Sequence, residues 1–321
     1  GVAWEALERS ITGGTSRGEA ASGIIAGVAL CMLGRGDEAL DLVRRAWAAR
    51  EEIDEGFGLV YEGMLVVTEC LALGELGRLT EAVALGEGGH ATAVAARVTY
   101  GQAWLAMNTG RALRFAGPLA ATARWGRESA TCFEALGIPP LRRWALYGAA
   151  WALAMAGDRE EARMVGEQAR AIDTGPVLLM EPETRRAEAA LALLDGDRGA
   201  AVRLLHDGVE LAAKLDLRAQ ELGAHHDLVR LGEHEVDLAR VQALAADQDG
   251  AMTAAIALHA TAAAEGTATA LGEAAERFAG FRSLNDLCAL ACAARPSVVC
   301  AYAARASTRC GRLARARSYS R

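Results

Sequence analysis

Lysine is almost missing from this chain: Lys214 is one lysine among 34 basic residues, and the rest are arginine. With the abundance of alanine, this bias points to a GC-rich gene. Proline is scarce, at six residues, and β-branched runs are few, which argues against a sheet protein. Aromatic residues make up only 5% although 52% of the chain is hydrophobic, so Ala and Leu carry the apolar content, a helix former's composition. Long apolar runs are also lacking. The longest uncharged stretches, Ala20–Gly34 and Gly250–Ala264, reach about 15 residues, short of the ~20 that a membrane span needs. Seven cysteines, an odd number without framework-like spacing, fit a reducing cytoplasm better than a disulfide scaffold. No signal peptide is evident, and a chain starting at Gly1 reads as a fragment or a processed product. The expected location is the cytoplasm. At 321 residues a large core can form, in one elongated domain or two compact ones.

A phosphate-binding loop is absent as well. Gly13 and Gly18 have its spacing, but Glu19 and Ala20 stand where Lys and Ser/Thr are needed, so a carboxylate would face a polyphosphate. The stretch reads instead as a loop before a helix spanning Glu19–Leu33, apolar nearly all round and so placed between neighbours.

What the chain does have is a beat. Gly34, Gly77, Gly117, Gly157 and Gly196 each interrupt two amphipathic stretches, at spacings of 43, 40, 40 and 39 residues. Seven residues before these glycines stand Gly27, Cys70, Gly110, Ala150 and Ala189; five after stand Ala39, Ala82, Thr122, Ala162 and Ala201. All are small, as required where two antiparallel helices approach closely. Asp158 and Asp197 read as N-caps, with Glu161 completing a capping box on Asp158. Two weaker units turn near Gly232 and Gly266, where His225, Asp237, His259 and Leu271 break the small-residue rule. The fold expected is all-α: a TPR-like right-handed solenoid of about seven hairpins over residues 1–281, with a concave inner surface.

Candidate sites are few. Trp104 and Trp144 share one repeat position, and Tyr147 and Trp151 continue the second of these helices. With Arg142 and Arg143 they could form a wall for an apolar ligand or a peptide, although filling space between Ala-rich helices is the preferred reading. His225 and His226 lie amid carboxylates but point about 100° apart on a helix, and a solvated or packed helix is preferred over a metal site. Cys288 and Cys292 have metal-like spacing without turn chemistry between them. No catalytic, cofactor-binding or metal-ligating set stands out, and the chain reads as non-enzymatic.

Residues 282–321 differ from the rest. No acidic residue follows Asp286, while seven arginines do, within a net charge of −7 for the whole chain. This Arg/Cys-rich tail lacks aromatic interleaving and a helix-turn-helix pattern, so autonomous sequence-specific DNA binding is not expected.

From about Leu105 to Phe281 the chain resembles the helical-repeat region of large LuxR-family, MalT-type regulators. The resemblance is carried by "WALYGAAWALAMAGDREEAR" (144–163), "TRRAEAALALLDGDRGAAVRLLHDGVELAAKLDLRAQELGAHHDLVRLG" (184–232) and "AMTAAIALHATAAAEGTATALGEAAERFAGF" (251–281). It implies an array that senses an inducer or partner and controls assembly, set between a STAND ATPase domain and a carboxy-terminal LuxR helix-turn-helix. This chain has neither the Walker motif nor the DNA-reading module. Its departure after Phe281 reads as an out-of-frame translation. The function expected is a regulatory sensor module that binds an effector or protein partner and self-associates. A free-standing adaptor for protein–protein interaction is the alternative.

Overall fold

The computed structural model describes residues 16–48, 58–233 and 236–280. Within them lie fourteen α-helices, one 3₁₀ turn and no strand. The helices form seven consecutive antiparallel pairs. These are α1 (Ser16–Met32) with α2 (Gly36–Ala48), α3 (Gly58–Glu75) with α4 (Leu79–Ala95), and α5 (Thr99–Ala116) with α6 (Leu119–Ala135). Next come α7 (Pro139–Ala156) with α8 (Arg159–Arg170), and α9 (Glu181–Leu194) with α10 (Arg198–Lys214). The last are α11 (Arg218–Arg230) with α12 (Leu238–Ala246), and α13 (Ala251–Glu265) with α14 (Ala268–Gly280). The arginine-rich tail and the Gly13 end of the amino-terminal loop lie outside the described residues.

The glycine beat marks the turn inside each pair. Gly34, Gly77, Gly117, Gly157 and Gly196 have φ between +78° and +106°, and Gly232 and Gly266 repeat the geometry at +72° and +66°. A left-handed residue lets the last carbonyls of a helix be bonded as the chain reverses, and glycine meets no Cβ penalty there. Between pairs a positive φ falls on Arg97 (57°), Gly137 (67°), Asp216 (55°) and Gly250 (96°). Because Arg97 and Asp216 carry no glycine signature, the between-pair turns do not repeat as regularly in the sequence as the turns within pairs.

All ten small positions are buried. Cys70 on α3 shows why size matters there: its Sγ donates to the Ala82 carbonyl of α4 at 3.3 Å. Two local expectations need correction. Asp197 does cap α10, accepting from the Ala200 N–H at 2.8 Å, but Asp158 makes no such bond at the start of α8. Glu161 is engaged by Arg127 of α6 instead of completing a capping box. The first described helix also begins at Ser16, so Gly18 lies within it rather than in a loop. The sixth pair departs from the small-residue rule for a visible reason. Its second helix starts late, and Asp237 is the cap that accepts from the Arg240 N–H at 2.9 Å.

Each helix packs on the next, and each odd-numbered helix also packs on the following odd-numbered one. The odd helices therefore share a continuous row and are buried on more sides. On α7, nine residues from Trp144 to Leu153 are buried, whereas α8 buries only Ala162, Val165, Gly166 and Ala169, one stripe at helical spacing. The row also turns back on itself, because α11 touches α1. The Asp249 N–H, in the turn before α13, donates to the Gly34 carbonyl at 2.8 Å. Its carboxylate in turn accepts from the Asp37 N–H at 3.1 Å. The nearly all-apolar α1 thus lies between neighbours, as its sequence requires.

Candidate functional site

The odd helices bring the aromatic residues of the sequence reading together and enclose them. Trp144, Tyr147 and Trp151 recur at i, i+3 and i+7 on α7, so they share one face. That face meets α5 and α9, and Tyr147 is 1% exposed. Trp104, on α5, is half-buried, with its ring edge-on to Phe133 at 5.5 Å and 6.0 Å from Trp144. Arg143 pairs with Glu181 at 3.4 Å and lies over Tyr147. Arg142 points away to Glu134. Two polar groups of this wall are engaged by the chain itself, whereas the buried Trp104 Nε1 has no hydrogen-bond partner. Trp144 Nε1 donates to Glu183 Oε2 at 3.1 Å, and the Tyr147 hydroxyl donates to Glu188 at 2.9 Å.

Glu183 is the centre of a buried charge network that the sequence reading missed. Its Oε1 accepts from Arg114 Nη2 at 2.6 Å and from Arg111 Nε at 3.2 Å. Arg111 also reaches Glu75 of α3 at 3.3 Å. One turn beyond Glu183, Arg186 donates through Nε to Asp227 of α11 at 2.7 Å, and Arg230 adds a second partner for Asp227 at 3.3 Å. The guanidiniums of Arg114 and Arg186 both lie over the Trp151 ring, at 3.9 and 4.8 Å from its centre. Burial opposes ionisation of Glu183, but Arg111 and Arg114 outweigh it and hold its carboxyl down at about 2. At Glu75 burial prevails and the carboxyl is pushed up, against the pull of Arg111. The available signal was paired charges three apart, Arg111/Arg114 and Glu183/Arg186, each on the first helix of a hairpin, where the neighbouring residues are apolar.

Glu75, Arg111, Arg114, Glu183 and Arg186 border a cavity of about 60 Å³ where the ends of the row meet. Its other wall comes from the closing turns: Gly34, Leu76, Gln248 and Asp249. Leu76, Phe115, Leu222, Met252 and Ile256 line it beside the charged residues, so its wall is mixed in character. Gly223 makes room for one of its charges. A Cβ there would lie 2.5 Å from Arg186 Nη1, so a larger residue at this position would oblige the guanidinium to move.

His225 and His226 diverge as their adjacency requires. His226 meets His259 of α13 at 3.0 Å between ring nitrogens and stacks on Phe278, while His225 lies 3.9 Å from Glu221. Among the described residues no three His, Cys, Asp or Glu side chains are grouped to hold a metal ion. Cys288 and Cys292 lie outside them. Burial, then the Arg230 charge, push His226 down to about 3, so the imidazole is neutral in the folded chain. In the unfolded chain it titrates near 6.5 and binds the extra proton below that pH. The folded state is then expected to lose about 1.4 kcal/mol per pH unit as the pH falls from 6.5 toward 3. Urea unfolding at pH 7.5 and 5 tests this, with His226→Gln flattening the difference.

No helix among the described residues is long and apolar enough to cross a membrane. No family model, curated protein or solved structure matches the chain.

Proposed function

We propose that the chain is a regulatory helical-repeat array, a non-enzymatic sensor module of the LuxR-family, MalT-type kind that its sequence resembles, with its hairpins wound as a TPR-like right-handed solenoid. The observation that carries this reading is the place of the charge network. Its members come from α3, α5, α7, α9 and α11, and the chamber that Glu75, Arg111, Arg114, Glu183 and Arg186 border is completed by the turns of the first and second hairpins and the link between the sixth and seventh. A ligand there would touch groups from nearly every repeat and would bind the closed arrangement differently from an opened one. Such a difference in affinity is the requirement for shifting a population. The effector or protein partner would thereby set the curvature or self-association of the array.

The adaptor alternative draws on a separate feature. Leu178 and Leu179 are about half exposed in the 3₁₀ turn between α8 and α9, the one link where the hairpin rhythm lengthens among the described residues. Sedimentation velocity of the full chain, with and without the small-molecule filtrate of a cell extract, separates the two. A filtrate-dependent change in association or frictional ratio supports the sensor. An unchanged boundary, with a stable protein complex lost on Leu178→Asp/Leu179→Asp, supports the adaptor.

A further inference from the structure

Two guanidiniums on the chamber wall carry more N–H groups than the carboxylates beside them take up. Arg111 lies against Glu75 and Glu183, and Arg186 against Asp227. Asp249, also on the wall, is turned to the Asp37 N–H. Arg111 spends Nε and Nη2 on carboxylates, and Arg186 spends Nε. Arg111 Nη1 and both Nη groups of Arg186 have no acceptor among the described residues, although Arg186 is 8% exposed and lines the chamber. Gln220 Oε1, on the same wall, is buried and has no donor. Its amide nitrogen is fixed to the Leu179 carbonyl at 2.7 Å, so the amide cannot simply be reversed. A water needs about 10–15 Å³ of such space, so the chamber exceeds a single water and admits a small polyatomic ion.

We propose that this chamber binds a small oxyanion of the phosphate or carboxylate class, held by the free N–H edges of Arg111 and Arg186. A phosphate, which keeps an O–H at neutral pH, would also donate to Gln220 Oε1; an ionised carboxylate would leave that oxygen to water. Planar guanidiniums with parallel N–H groups match oxyanions bidentately. Since Gln248 and Asp249 also border the chamber, the ion would rest against the closing turns and favour the closed row. The inference deepens the sensor reading by naming the ligand class, and it rests on that reading only for its consequence.

The test is calorimetric titration of the full chain with inorganic phosphate and, separately, with malonate, at constant ionic strength with chloride as the control. Saturable binding of one ion per chain is expected, and the better of the two identifies the class. Arg186→Gln, in which Arg230 still pairs Asp227, should weaken it at least tenfold. Arg111→Lys, which keeps the charge but removes the fork, should weaken it several-fold. Circular dichroism confirms that each variant is folded, and the exposed Arg163→Gln on α8 should bind like the parent. Absence of saturation by either ion up to about 10 mM overturns the site, and that result needs no variant. So does unchanged binding in a folded Arg186→Gln. If an ion binds in the expected pattern but leaves the sedimentation behaviour unchanged, the site stands and the sensor reading falls. A chain that answers to the cell filtrate yet binds neither ion overturns the site alone.

Discussion

Glu183→Gln is expected to lower the unfolding free energy by about 3–5 kcal/mol, the cost of removing one partner from a buried ion network. The amide is isosteric, so no cavity is made; what is lost is the charge. Oε1 now balances the guanidiniums of Arg114, which is buried, and Arg111, which is partly buried, and a neutral amide leaves them facing each other. The amide nitrogen would also be set against donors, including Trp144 Nε1. For a domain stabilised by roughly 5–15 kcal/mol, such a loss shifts the urea midpoint far toward zero. The acid response checks the cause. The Glu183 carboxyl is held at about 2 in the fold against an ordinary 4.5. Its contribution is therefore complete above 4.5 and lost as the pH falls toward 2, and the variant should lack that part of the acid transition. A loss below about 1 kcal/mol at pH 7 would mean that the two arginines are hydrated rather than paired.

Gly250→Ala is the second large effect, of about 3 kcal/mol, and it acts on closure rather than charge. Gly250 has φ +96° and ψ 151°, a region populated essentially by glycine and costing another residue about 1–3 kcal/mol. Its added Cβ would lie 2.8 Å from the Leu76 Cα and 2.9 Å from the Leu76 carbonyl oxygen. Those are backbone atoms, so no rotamer change relieves the overlap, and overpacking adds a further 1–3 kcal/mol. The turn before α13 should move off the turn after α3, breaking the Asp249–Gly34 bond and enlarging the hydrodynamic radius. Gly175→Ala, with nothing within 4 Å of its added Cβ, is the matched control and should be close to neutral. A Gly250→Ala chain with parental midpoint and radius would show that the two turns do not meet.

The hairpins were legible because their requirements are local. A left-handed turn calls for glycine, and two helices in contact call for small residues seven before it and five after it. Where the turn is made by Arg97 or Asp216, the chain uses a conformation that its side chains do not advertise. The capping box failed for a related reason: Asp158 and Glu161 have the right spacing, but Arg127 on another helix engages Glu161. The site was half legible. Trp144, Tyr147 and Trp151 announce a shared face by their spacing alone. Their partners on other helices, Glu183, Glu188, Arg114 and Arg186, are distant in the sequence, and that pairing follows from which helices adjoin. The meeting of α1 with α11 left no sequence mark at all, since it depends on small rotations accumulated over five intervening odd-to-odd contacts.

The measurement that bears most directly on the account is amide hydrogen exchange at Asp249 and Asp37 in the full chain. Asp249 precedes α13, and its N–H has its bond with the Gly34 carbonyl; the Asp37 N–H, in the first turn of α2, is bonded by the Asp249 carboxylate. Neither amide has a partner within its own helix, where first-turn donors are otherwise exposed to water. If the row of helices closes around a charged chamber, both amides exchange slowly in the parent and quickly in Gly250→Ala, while the α7 amides stay protected in both. Exchange of Asp249 and Asp37 at the rate of an open loop in the parent chain would contradict the closure, and with it the chamber.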